Sequence, residues 1–232
     1  MKNFTIILAC LLFPLFLFSQ SDSLMFSGAI KINFKYYKKA SAAAYRKGDA
    51  DRGKFLFDSL VKTRLAGTTF DDFTFKKASG GKLRLSKVGK PVILITYASW
   101  CIPSKGEYEA LNRLAQKYSK EVTFIALFWN RSEDARKASR KLNRHVTVCY
   151  AHESYRNDAP IVAAMKHTLG LPTSYYLDEN RKVVDIRRCG VQQCPKKTPY
   201  DRAYALNYNS FLDGLALILI DKEVKKEMLA TK

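Results

Sequence analysis

The sequence predicts an α/β fold, a mixed sheet with helices on both faces and extensions at both ends of the chain. Three observations carry this. PVILITYA (91–98) and EVTFIALFW (121–129) are near-continuous apolar or β-branched runs of strand length, the pattern of strands buried on both faces. Helical patterns separate these runs from each other and from HVTVCYA (145–151), and strand–helix–strand crossovers imply parallel pairing. TSYYLD (173–178) and VVDIRR (183–188) flank a turn-rich tetrapeptide and read as a hairpin that adds antiparallel strands at one edge.

The elements follow in order. Residues 1–20, MKNFTIILACLLFPLFLFSQ, place Lys2 before the apolar run Ile6–Phe18. As a helix that run would rise roughly 20 Å, short of a bilayer core of about 30 Å. It reads as an export signal cut near Ser19 or Gln20, in preference to an anchor or a lipidated Cys10. Residues 21–69 form an N-terminal extension. In it AIKINFKYY alternates like a strand or extended arm, GDADRG turns, and 51–65 has helical spacing of Phe55, Leu56, Leu60 and Leu65. Phe73 and Phe75, then Leu83 and Leu85 across Gly80-Gly81, predict a small hairpin. Helices are expected over 103–118, over 132–142 with Ser132 as cap, over 159–169 ended by Gly170, and over 209–230. Within the last, the apolar run Leu215–Ile220 is too short to cross a bilayer. A chain with no membrane span after signal removal is therefore expected.

The chain has 232 residues, 47% hydrophobic, enough for one good core with extensions. Its formal net charge is +19. The basic residues are scattered over helices and loops with no recognition motif, so the charge reads as a solvated surface and no nucleic-acid partner is expected. His145, His152 and His167 form no ligand-spaced set, so no metal is expected. Neither a phosphate-cradling glycine loop nor a G-x-S-x-G elbow is present, and no cofactor is expected.

Chemistry concentrates in ITYASWCIPSKGEYEAL (95–111). Cys101 stands where a strand ends and a helix is expected to open. There, free backbone N–H groups and the helix dipole would lower a thiol pKa. Trp100 would shield one side, Pro103 suits a first helical turn, and Lys105 adds positive charge. An inert cysteine at the sheet edge is the alternative. Leu171-Pro172-Thr173 leads into the next strand, and a cis Leu171–Pro172 bond would leave the Leu171 backbone free to pair with an extended substrate. Signal removal leaves Cys101, Cys149, Cys189 and Cys194 to meet an oxidising compartment. Cys189 and Cys194 are close enough in sequence for a local loop disulfide, and Cys149 reads as a buried apolar-like residue.

Three segments taken together, FDDFTFKKASGGKLRLSKVGKPVILITYASWCIPSKGE, VTFIALFW and LGLPTSYYLDENRKVVDIRRCG, resemble the thioredoxin fold. More narrowly, they resemble the exported TlpA/ResA-type thiol–disulfide oxidoreductases of cytochrome maturation. The resemblance implies a thioredoxin-like domain over 70–195, with 196–232 as a loop and a helix packing on it. Trp100 and Cys101 match the start of that family's Trp-Cys-x-x-Cys motif, and Ser104 occupies its second cysteine position. Glu107 falls on an acidic position near the redox site, and Pro172 on the cis-proline opposite the thiols. Ile95 stands where thioredoxins bury an aspartate. Ala98, three before Cys101, departs from the Thr-x-x-Cys pattern of peroxidases of this fold.

A serine forms no S–S bond, so a self-contained dithiol reductase is disfavoured. The resemblance then implies catalytic roles for Cys101, Ser104, Glu107, Trp100 and Pro172 and substrate contacts at Leu171 and Thr173. The expected activity is monothiol exchange with an exported protein or a small-molecule thiol or disulfide, completed by an external reductant, in a periplasmic or secreted setting. Resolution by another cysteine and a redox-silent binding or interaction domain are the alternatives.

Overall fold

The structure, a computed structural model, describes residues 24–166, 168–188 and 198–230. The expected signal segment, Cys10, His167, Cys189 and Cys194 lie outside the described residues.

Seven strands form one sheet: β1 (Thr74–Lys77), β2 (Lys82–Arg84), β3 (Val92–Tyr97), β4 (Thr123–Phe128), β5 (Val146–Tyr150), β6 (Thr173–Leu177) and β7 (Val183–Arg188), in the spatial order β2-β1-β5-β4-β3-β6-β7. β3 pairs in parallel with β4, and β4 with β5, while β6 runs antiparallel to β3 and β7 antiparallel to β6. The β1/β2 hairpin closes the other side, with Lys76 opposite Tyr150 and Lys77 opposite Cys149. This is the mixed α/β thioredoxin-like fold, with extra helices at both termini.

Two-residue periodicity divides the core. Val92 and Leu94 face one apolar cluster, Ile93, Ile95 and Tyr97 the other. The first face is covered by α1 (Phe26–Arg46), by α2 (Ala50–Leu60) with its π-helical turn Val61–Leu65, and by the short α5 (Ala159–Ile161). The second is covered by α3 (Glu107–Tyr118) and α6 (Tyr200–Ala230), with α4 (Ser132–Ala138) contributing Ala135.

The N-terminal segment differs from its predicted arm. AIKINFKYY lies inside α1, whose buried residues Phe26, Ala29, Ile30, Tyr37 and Ala44 fall on one helical side. The apparent alternation came from Ile32 and Tyr36, which are 61% and 79% exposed. The helix is seated by Phe26, stacked on Phe70 with ring centroids 4.8 Å apart and edge-on to Tyr175 at 5.7 Å. Arg188 at the end of β7 bonds the Tyr37 hydroxyl and lies over the Phe57 ring, which ties α1 and α2 to the sheet edge. Two further boundaries move. Arg131 rather than Ser132 precedes α4 without a side-chain cap, and the helix predicted over 159–169 is a short α turn continued by the π turn Val162–Lys166.

α6 also corrects the expectation of no membrane span after signal removal. It begins nine residues earlier than predicted, and its stretch Tyr200–Met228, 29 residues, is long and apolar enough to cross a membrane by length and composition. Such a helix rises roughly 44 Å against a bilayer core of about 30 Å. The apolar run Leu215–Ile220 underestimated it because the interrupting residues are mostly uncharged. In this fold one side of α6, formed by Ala203, Asn207, Phe211, Leu215 and Ile218, is buried. Gly214 lets the Tyr176 ring lie against the helix, since a Cβ there would fall 2.2 Å from Tyr176 Cζ. Lys225 reaches the buried Asp178 carboxylate at 2.6 Å.

Candidate functional site

The site is built on the C-terminal ends of β3 and β4. After Tyr97 the chain leaves the sheet, and the Ser99 amide donates to Asn130 Oδ1 at 2.7 Å while Asn130 Nδ2 donates back to Ser99 Oγ at 2.6 Å. This clamp fixes the loop just before Cys101. The Cys101 amide in turn donates to the Ala98 carbonyl at 2.9 Å, a tight turn that leaves Cys101 half-buried against the first core cluster. Its chain neighbours Trp100 and Ile102 are 73% and 84% exposed, so two large apolar side chains flank Cys101 in solvent.

Helix α3 starts later than the sequence predicts, at Glu107 behind Gly106. Cys101 is therefore in the loop before the helix and not on its first turn, and the dipole argument for an acidified thiol does not apply. The thiol pKa is instead raised. Burial contributes most, a backbone hydrogen bond at Ala98 opposes it, and the Glu107 carboxylate adds to it. Lys105, expected as a nearby cation, directs its ammonium to the Thr198 carbonyl at 3.2 Å.

Glu107 is the most unusual residue of the site. Its acidic position suits a helix N-terminus, yet it is fully buried. The Tyr97 hydroxyl donates to its Oε1 at 2.9 Å, the Ser104 amide donates to its Oε2 at 2.9 Å, and Ser104 Oγ lies 3.0 Å from the same oxygen. Burial pushes the carboxyl pKa up, against the lowering effect of these hydrogen bonds. The ionised form also raises the Tyr108 hydroxyl pKa, after burial.

Leu171-Pro172-Thr173 arrives from the adjacent strand. The Leu171–Pro172 peptide is cis. Thr173 pairs with Thr96, one residue from the end of β3, so this segment lies at the same end of the sheet as Cys101. Thr96 Oγ1 lies 3.2 Å from the Thr173 carbonyl and Thr173 Oγ1 donates to the Gly170 carbonyl at 2.8 Å, while Leu171 packs on the same cluster as Cys101. The predicted residues Cys101, Ser104, Glu107, Leu171, Pro172 and Thr173 thus gather at one end of the sheet. Cys149 is fully buried on β5, its pKa pushed up to about 12 by burial, and among the described residues neither it nor Cys101 has a disulfide partner.

Sequence reasoning missed Tyr97, Asn130 and Asn207. The first reads as one more apolar strand residue and the second as a turn residue. Asn207 lies about a hundred positions away on α6, yet its Oδ1 is 3.0 Å from Ser104 Oγ. A polar residue on the otherwise apolar side Ala203–Phe211 was the one available signal.

Residues 66–209 match the model of the AhpC/TSA family, well over half of the chain. The chain belongs to the AhpC/TSA family. All the site residues named above fall inside the matched span. The chain is similar to the thioredoxin-like protein YneN of Bacillus subtilis (strain 168). The two are 28% identical over 127 residues, 52% of this chain and 69% of that protein. A shorter stretch is similar to the thiol:disulfide interchange protein DsbE of Pseudomonas fluorescens biotype C, 32% identical over 68 residues, 28% of this chain and 38% of that protein. Among solved structures, the thioredoxin domain of a thiol-disulfide oxidoreductase from Bacteroides vulgatus superposes with a TM-score of 0.49 and 17% identity, covering 64% of this chain and 96% of that one. Both relatives are named for this chemistry, one as a thioredoxin-like protein and the other as a thiol:disulfide interchange protein.

Proposed function

We propose that the protein is an exported monothiol exchanger acting through Cys101, with Ser104 at the position of the second active-site cysteine. The observation that carries this reading is the setting of Cys101. It is a free, half-buried thiol between two exposed apolar side chains, at the sheet end that also holds the Leu171–Pro172 segment, while Cys149 is sealed in the core. The Cys101 thiolate attacks a substrate disulfide, a mixed disulfide forms, and the substrate's other sulfur leaves as a thiolate. An external thiolate then attacks the mixed disulfide, a disulfide forms between it and the substrate sulfur, and Cys101 leaves as thiolate.

The raised thiol pKa sets the tempo. At neutral pH little thiolate is present, but what forms is intrinsically nucleophilic, and as a leaving group it is poor. Slow capture and a long-lived mixed disulfide follow. Trp100 and Ile102 supply apolar contact for a polypeptide around the disulfide, and the Leu171 backbone supplies strand-like pairing. Export and a periplasmic or secreted setting rest on the leader-like residues 1–20.

The same raised pKa favours a second reading, a redox-silent domain that binds a partner through the Trp100–Ile102 rim. Rates of Cys101 alkylation and of exchange with a small aromatic disulfide, measured against pH, separate the two. The exchanger gains rate as pH rises past about 8.5, the ordinary thiol pKa, and forms a Cys101 mixed disulfide. A thiol that alkylates but never forms a mixed disulfide supports the silent domain instead.

A further inference from the structure

We propose that Asn207 of α6 is a positioning residue for the thiol site: by taking the single proton of the Ser104 hydroxyl, it obliges Glu107 to remain a neutral acid beside Cys101. This rests on the reading of Cys101 as the exchanging thiol.

The number of protons available around Ser104 Oγ decides the state of Glu107. Asn207 has one amide atom within 3.0 Å of two backbone carbonyls, those of Lys105 and Ala203. Carbonyls only accept, so that atom is the –NH2 group, and the amide oxygen is the atom facing Ser104 Oγ at 3.0 Å. The hydroxyl has one hydrogen, and Asn207 Oδ1 can only accept it. Ser104 Oγ is nevertheless also 3.0 Å from Glu107 Oε2. With Glu107 ionised, one of these two contacts would oppose lone pairs in a buried site. With Glu107 protonated on Oε2, every contact is a hydrogen bond. Tyr97 O–H donates to Oε1, the Ser104 amide to Oε2, the Oε2 proton to Ser104 Oγ, and the Ser104 proton to Asn207.

The groups around Glu107 fit a neutral acid. Tyr97 comes from β3, Cys101 from the loop and Tyr108 from α3, and α6 brings Asn207 and Tyr204, while the Lys105 ammonium turns away to Thr198. Full burial of the carboxyl points the same way. The consequence reaches the thiol, because an ionised Glu107 would disfavour the Cys101 thiolate. The α6 helix thereby sets the charge behind Cys101, through a residue that does not itself touch the sulfur.

The test is a 13C NMR titration of the Glu107 carboxyl, assigned with Glu107→Gln, in the full chain. Wild type is expected to show a neutral acid at pH 7. Asn207→Ala frees the Ser104 proton to bond a carboxylate, so the Glu107 midpoint should fall by about a unit, tenfold in its acid constant. Ser104→Ala removes the acceptor of the Glu107 proton, so the midpoint should fall there too, and Asn207→Ala added to Ser104→Ala should lower it no further, because no hydroxyl is left to turn. Cys101 alkylation at pH 7 should slow ~3–10-fold in Asn207→Ala, and this loss should vanish when Glu107→Gln is added. An ionised Glu107 in wild type at pH 7 overturns the proposal, and that measurement needs no variant to fold. A further fall of the midpoint when Asn207→Ala is added to Ser104→Ala, or a rate loss that survives in Glu107→Gln, also overturns it. Failure of Cys101 to exchange with disulfides would sink the proposed function while leaving the Glu107 titration standing.

Discussion

Replacing Gly106 by alanine probes how tightly the C-terminal helix is joined to the thiol loop. Gly106 has φ 73°, a left-handed conformation that costs a residue with a Cβ about 1–2 kcal/mol. A Cβ at this position would also lie 2.8 Å from Tyr204 Cβ and 2.9 Å from Tyr204 Cα. Cα belongs to the α6 backbone and Cβ is fixed to it, so neither can rotate away and α6 or the loop must shift, an overpacking cost of about 1–3 kcal/mol. The sum is about 2–5 kcal/mol. Gly89 provides the control, because its φ of 65° is nearly the same while nothing lies within 4 Å of its would-be Cβ. Gly89→Ala should lose only the backbone share. With a urea m-value of about 2–3 kcal/mol/M, Gly106→Ala should lower the unfolding midpoint by about 1–2 M, and by more than Gly89→Ala does. Equal midpoints for the two variants would show that α6 does not press on the loop, and the link from Asn207 to Ser104 would lose its footing.

Other outcomes follow from the same packing and charges. Gly214→Ala should destabilise by at least about 1–3 kcal/mol, because its Cβ would fall inside the buried Tyr176 ring; a circular-dichroism melt checks this. Lys225→Met strips the buried Asp178 of its ammonium partner. The loss should be about 1–2 kcal/mol by urea unfolding, below the roughly 3–5 kcal/mol of a fully buried pair because Lys225 is partly exposed, and it should shrink on adding salt. Glu107 has a raised folded pKa, so its folded state holds the proton more tightly than the unfolded chain. Stability is fully present below the unfolded value of about 4.3 and is lost as pH rises through the folded value. Urea midpoints against pH should show that loss in wild type and not in Glu107→Gln.

The fold was legible where burial imposes a period. The runs around Leu94 and Ile125 announced central strands, and Gly80-Gly81 announced the edge hairpin, because few other structures satisfy those patterns. α1 was misread because its exposed Ile32 and Tyr36 imitate a strand over a short window, whereas its true partners, Phe70 and Tyr175, are remote in sequence. The length of α6 was hidden in the same way, since Tyr204 and Asn207 in its first two turns pack on the loop before α3. Of the site, position and residue type marked Cys101, Glu107 and Pro172. What no local pattern carries is the environment of Glu107: a surface carboxylate and a fully buried acid look alike until Tyr97, Ser104 and Asn207 are brought around it. The start of α3 beyond Gly106 likewise decides the thiol's electrostatics, and only the close approach of Tyr204 to that glycine explains it.

Incubating the reduced protein with a small disulfide and following it by intact-mass and peptide mapping tests the exchange reading most directly. A single adduct on Cys101 that persists until an external thiol is added is the expected result. An unmodified Cys101, or an adduct that resolves by itself into an internal disulfide, would contradict it.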